Sequence, residues 1–130
     1  MTDKQNTHLL ISEKLVGSVV NIEKNKARVE LTPLKEMAAD NLGLLHGGFI
    51  FGLADYAAML AVNKPYVVLG KAEVKFIKPV TINETLVAVA KTIDVEGCKY
   101  EVNVNVYNAK DEIVFNGTFV CFDKNKHVLE

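Results

Sequence analysis

Apolar and polar positions alternate along most of this chain with the period of a β-strand, and one stretch breaks that rhythm. In residues 99–107, Tyr100, Val102, Val104 and Val106 share one face, and Glu101, Asn103, Asn105 and Tyr107 share the other. That is the pattern of a half-buried strand. Val74 and Phe76 alternate with Glu73 and Lys75 within a strand predicted over residues 66–77, broken at Gly70 and stopped by Pro79. Further strands are predicted over residues 85–93 and 112–122, with turns at Glu96-Gly97 and at residues 108–111. Near the start, residues 16–23 and 27–31 are β-prone, with a hairpin turn at Asn25-Lys26 and an end at Thr32-Pro33. Residues 34–45 form an irregular approach with turn chemistry at Asp40, Asn41 and Gly43.

The exception is residues 46–63. Gly47 and Gly48 open the stretch, and Pro65 follows it, where a helix has to stop. Between them, Phe49, Ile50, Phe51, Leu53, Ala54, Ala57, Met59, Leu60 and Val62 cover every side of a helical cylinder. A helix apolar all round is a buried helix. At about 17 residues, with Asp55 near its middle, it is short for a membrane span, so a core helix is expected. The order is strand, strand, helix, then four strands in an antiparallel meander. A strongly curved antiparallel sheet can wrap such a helix. An α+β fold follows, with one domain over residues 1–130, a core of about 15–122 and polar tails. Residues 1–8 are expected to be loosely ordered. The outward faces are mixed, not strongly charged, and the sheet has open edges, so pairing with another copy is expected.

Composition narrows the partners. The 130 residues are 49% hydrophobic, enough for a real core, and the net charge of −1 with no basic run argues against a nucleic-acid partner. The three histidines are scattered, and Cys98 and Cys121 lack metal spacing. They read as reduced packing residues, and no metal site is expected. The polar start carries no signal sequence, and a cytoplasmic location is expected.

Asp55 disturbs the picture of a plain core helix. A carboxylate among alanine, leucine and methionine should be paired, shifted in pKa, or at the lip of a cleft. Structural pairing and function both remain open on that ground alone. The glycines favour function. The first N–H groups of a helix have no partner within it and carry its positive dipole end. Gly47 and Gly48 leave those groups open to a ligand oxygen. A bare N–H pair that polarises a carbonyl and an acid that acts as base or nucleophile are the two halves of an acyl-transfer site. Gly47 and Asp55 lie eight residues apart, roughly 12 Å along one helix. They cannot meet one carbonyl carbon from the same helix, so a site between two copies in a homodimer is expected.

The segment from Gly43 through His46-Gly47-Gly48 to Asp55 resembles the G-x-x-H-G-G-x-x-x-x-x-x-D signature of hotdog-fold acyl-CoA thioesterases of the phenylacetic-acid type (4-hydroxybenzoyl-CoA thioesterase-like). Phe76-Ile77-Lys78-Pro79 looks like the F-x-x-P strand end of the same proteins. The resemblance covers roughly residues 15–122. It implies a hotdog fold, in which a curved antiparallel sheet wraps one long central helix. It implies Asp55 as general base or nucleophile and the Gly47 N–H as the group that polarises the thioester. His46 matches a residue that helps to hold the loop or the thioester, and a structural histidine bonded to backbone is its other reading. The family's asparagine ahead of the glycine falls on Asp40, with Asn41 beside it. Gly48, Phe49, Phe51, Tyr56 and Met59 are candidates for the substrate pocket, although ordinary core packing serves most of the apolar ones equally well. Lys71, Lys75 and Lys78 could meet CoA phosphates or form a solvated face.

Two departures stand out. A hydroxyl often found on the strand after the helix falls at Leu69 or Gly70, neither of which orients a water, and the usual Gly-Asp after F-x-x-P is Asn83-Glu84. The implied function is hydrolysis of an acyl-CoA to free acid and CoA. No cofactor is expected, CoA being part of the substrate, and the assembly expected is a homodimer at minimum and a homotetramer beyond it. The alternative is a non-catalytic acyl-CoA binding or sensing module, although such regulators usually carry a DNA-binding segment for which these 130 residues leave no room. A hotdog dehydratase would need a histidine and acid placed differently from His46 and Asp55.

Overall fold

The computed structural model describes residues 2–130. After a helical turn, α1 (Glu13–Val16), Gly17 at φ +105° starts the first hairpin, β1 (Ser18–Glu23) and β2 (Lys26–Leu31). The central helix α2 is Gly47–Val62. It is followed by β3 (Val67–Phe76), β4 (Leu86–Glu96), β5 (Lys99–Tyr107) and β6 (Ile113–Asp123). The six strands form one antiparallel sheet in the order β1-β2-β4-β5-β6-β3.

The sheet curls around α2 and buries it on nearly every side, from Ile50 through Val62, as its uninterrupted apolar surface requires. The inner sheet face supplies Val29 and Leu31, Ala88 and Ala90, Val102 and Val104, and Phe115 and Phe119, all within 1% of complete burial. The alanines of β4 face a helix that is itself rich in alanine at positions 54, 57, 58 and 61, so α2 packs chiefly on β4 and β2. Asn63 ends the helix at φ +53°, its N–H donating to the Met59 carbonyl. Asparagine tolerates that left-handed conformation better than other side chains. The architecture is the expected α+β hotdog fold. Among the described residues no helix is long and apolar enough to cross a membrane.

Three expectations need correction. The four strands after α2 are not one meander. Only β4, β5 and β6 are joined to one another by tight turns, whereas residues 77–85 carry the chain away from β3, which pairs instead with β6 at the far edge. Tight turns force neighbours to pair, and long connections do not. The break expected in this strand is a bulge, with the register shifting between Leu69 and Lys71.

The N-terminal residues are docked, not loose. The Asp3 N–H donates to the Ile22 carbonyl at 2.7 Å. The Asn63 amide donates to the Lys4 carbonyl at 2.9 Å and accepts from the Asn6 N–H at 2.8 Å. Gln5 donates to the Tyr56 hydroxyl at 3.2 Å. The partners come from β1, from Tyr56 within α2 and from its cap Asn63, which a polar tail does not reveal. Finally, Cys121 is buried as expected, but Cys98 is exposed at the tip of the β4–β5 hairpin.

Candidate active site

The approach to α2 is held by two backbone bonds. Leu45 N–H donates to the Val80 carbonyl at 2.8 Å, and His46 N–H donates to the Met37 carbonyl at 3.0 Å. His46 takes the N-cap position, yet its side chain makes no capping bond. Among the described residues nothing accepts from the Gly47 and Gly48 N–H groups. The positive end of the helix dipole is therefore bare.

Neither glycine has a positive φ, so crowding, not backbone conformation, is what a side chain there would meet. A Cβ built on Gly47 would lie 3.1 Å from Phe76 Cε2, and one on Gly48 would lie 3.1 Å from His46 Cδ2. His46 is exposed and stands edge-on to the half-buried Phe49, ring centroids 6.1 Å apart.

Two turns along the helix, Asp55 is half-buried, and its Oδ1 is buried without a hydrogen-bond partner. Burial pushes its carboxyl up from an ordinary 3.8 to about 6. Burial, and after it the Asp55 charge, push the Cys121 thiol of β6 up to about 12. Cys121 stands opposite Leu69 in the β3–β6 ladder. No hydroxyl satisfies the Asp55 oxygen, in keeping with the leucine and glycine at positions 69 and 70. Gly70 is exposed at the bulge, where a Cβ would lie 2.4 Å from the Phe122 ring.

The remaining candidates scatter. The Asp40 carboxylate accepts from the N–H groups of Leu42 (3.0 Å) and Leu44 (3.2 Å), a turn that uses it locally, with Asn41 exposed beside it. Tyr56 is buried beneath the N-terminal residues and hydrogen-bonded to Gln5. It lies about 100° around the helix from Asp55. Met59 is 1% exposed within the core, and Phe51 packs on Phe119 with centroids 5.5 Å apart. Lys71 pairs with Glu73 at 3.1 Å and Lys78 with Glu112 at 2.6 Å, which leaves Lys75 outside any ion pair among the described residues. No group of three metal-ligating side chains occurs among the described residues.

A hollow of about 580 Å³ opens at the opposite end of α2, lined by Asp3, Asn6, Asn63, Lys64 and Tyr100 among others. Neither Gly47 nor Asp55 lines it. Reasoning from sequence missed that the Phe76 ring borders the Cβ position of Gly47 and that the Asp55 charge acts on the Cys121 thiol. Both arise from strands that meet the helix only in the folded chain.

The class that this fold and site define is also found by comparison. A profile of the thioesterase superfamily matches residues 42–115, from the loop before α2 into β6. The chain belongs to the thioesterase superfamily. An uncharacterized protein from Pyrococcus horikoshii is 53% identical, with 100% of this chain and 99% of that one covered and a TM-score of 0.97. A protein from Aquifex aeolicus named methylthioribose-1-phosphate isomerase is 45% identical over 87% of this chain but only 25% of its own length. A transcription factor named FapR, from Caldanaerobacter subterraneus, is 28% identical over 85% of this chain and 56% of its own length. The chain thus spans between a quarter and about two thirds of the curated relatives it matches.

Proposed function

We propose that the protein is an acyl-CoA thioesterase of the phenylacetic-acid type, acting as a homodimer at minimum and assembled as a homotetramer in the cytoplasm. The observation that carries this is the half-buried Asp55 carboxyl, its Oδ1 buried without a partner and its pKa raised to about 6 by burial, on the same helix as a bare N–H pair. At neutral pH such a carboxyl is mostly ionised yet still basic enough to accept a proton. The Gly47 N–H of one subunit receives the thioester oxygen. Asp55 of the other subunit takes a proton from water as the water attacks the carbonyl carbon, or attacks that carbon itself. On the base route the tetrahedral intermediate collapses, the C–S bond breaks, and CoA leaves as its thiol with the proton returned from Asp55 to sulfur; on the nucleophilic route CoA leaves as thiolate, and water then hydrolyses the acyl–Asp55 anhydride, releasing the acid and the proton that the thiolate takes up. The Gly47 contact acts on the developing oxyanion, where loss of one such donor typically costs 10²–10³-fold.

A second reading, a non-catalytic acyl-CoA binding or sensing module, is favoured by the FapR relatives and by the absence of a hydroxyl beside Asp55. Thiol release from short, long and aryl acyl-CoAs by wild type and Asp55→Asn separates the two. Turnover that falls by orders of magnitude in the variant supports hydrolysis. Binding without turnover in wild type overturns it in favour of the sensor.

A further inference from the structure

We infer that Phe76 is a specificity-determining residue, whose ring limits the bulk an acyl group can carry next to its thioester carbon. This rests on the thioesterase reading above. Phe76 is the last residue of β3 and stands opposite Phe115 of β6, the two rings T-shaped at 5.1 Å. Phe115 is completely buried and backs the Phe76 ring like a wall. A phenylalanine in such a place normally completes the core, but Phe76 is 54% exposed.

The rest of the ring borders the start of α2. Three of its carbons lie 3.1–3.6 Å from where a Gly47 Cβ would be. On the other side of the helix start, the His46 ring overhangs Gly48, 3.1–3.2 Å from the corresponding point. The open N–H pair therefore lies between an apolar ring and a polar one. An oxygen hydrogen-bonded to the Gly47 N–H sits about 2.9 Å from that nitrogen. The carbonyl carbon is about 1.2 Å further and the acyl α-carbon about 1.5 Å beyond it. Those bonds keep the α-carbon within about 6 Å of the Gly47 nitrogen, beside a ring whose carbons lie 3.1–3.6 Å from the Gly47 Cβ position. Substituents on an α-carbon turned toward that side meet the Phe76 ring. Because Phe115 holds the ring from behind, it cannot retreat into the core to admit them.

The test compares wild type, Phe76→Ala and Phe76→Leu on butyryl-CoA and its α-branched isomer isobutyryl-CoA, by thiol release. Phe76→Ala is expected to raise the isobutyryl-to-butyryl ratio of kcat/KM at least tenfold, chiefly through KM, with Phe76→Leu between it and wild type. Ratios within twofold of wild type, with both substrates declining together, would mean a merely structural ring and overturn the inference. If Phe76→Ala fails to melt cooperatively, the same criterion applied to Phe76→Leu decides. If wild type binds both thioesters but cleaves neither, the thioesterase reading fails by itself. The ratio of the two dissociation constants in wild type and variant, measured by calorimetry, then judges Phe76 on the same tenfold and twofold limits. If wild type binds neither, both fall.

Discussion

Asp55→Asn should make this protein more stable at pH 8 while it removes the proposed chemistry. The folded-state carboxyl has its pKa raised from 3.8 to about 6 by burial. Between those two values the folded chain holds the proton more tightly than the unfolded chain, so stability falls as pH rises through that window and stays low above it. A shift of about two units corresponds to at most ~3 kcal/mol. Asp55 is only half-buried, and water screening brings the expected cost of the charge to about 1–3 kcal/mol. Asparagine has nearly the same shape and no charge, so it recovers that cost above pH 6 and gains nothing below pH 3.8, where the aspartate is itself neutral. For a chain of this size, roughly 3–5 °C in Tm accompanies each kcal/mol. Calorimetric melts of wild type and Asp55→Asn at equal concentration, free of CoA, should show the variant melting roughly 3–15 °C higher at pH 8 and level with wild type near pH 3.5. A variant that melts at or below wild type at pH 8 would show that the folded protein stabilises the carboxylate, and the site would need a partner for Oδ1 that burial alone does not supply.

Other outcomes follow from the same coordinates. If Asp55 must be ionised to act, kcat/KM for a cleaved acyl-CoA should rise tenfold per pH unit below about 6 and level off above it; a flat profile from pH 4.5 to 8 would rule out that role. Asn63→Ala loses two bonds to the Lys4 and Asn6 backbone and the left-handed helix cap, and should cost about 1–3 kcal/mol. Asn63→Gly keeps the cap but not the bonds, and hydrogen exchange at residues 3–7 should rise in both variants alike. Phe119→Ala empties a fully buried position and should cost about 3–5 kcal/mol, seen as a lower urea midpoint with an unchanged m-value.

The period of the side chains revealed which elements form, but not where they go. Val102, Val104 and Val106 alternate so regularly that β5 is legible to the residue, and α2 is legible because no side of it is polar. The far-edge place of β3 is not, since its alternation is the same whichever neighbour it joins. The docked N-terminus was equally hidden, because Gln5 and Asn6 are polar and their partners, Tyr56 and Asn63, belong to the helix. The candidate site was legible for a different reason, as a set of violations of local rules. Two glycines at a helix start sacrifice helix propensity, roughly 1 kcal/mol each. The N-cap His46 forms no capping bond, and Asp55 leaves an oxygen buried and unpartnered. Within one chain none of these costs is repaid by a contact, and all of them fall on the one element the sheet is wrapped around. On the inner faces of β2, β4 and β5, Val29, Ala88 and Val104 pack without a polar atom among their side chains, and among the described residues only the Thr92 Oγ1 of β4 is a comparable buried oxygen without a partner. Local inconsistency concentrated on one rigid element is the signature of a site maintained for something outside the chain. Under the proposed thioesterase reading, a thioester oxygen at Gly47 and a water or acyl carbon at Asp55 are the groups that would answer what is left unsatisfied.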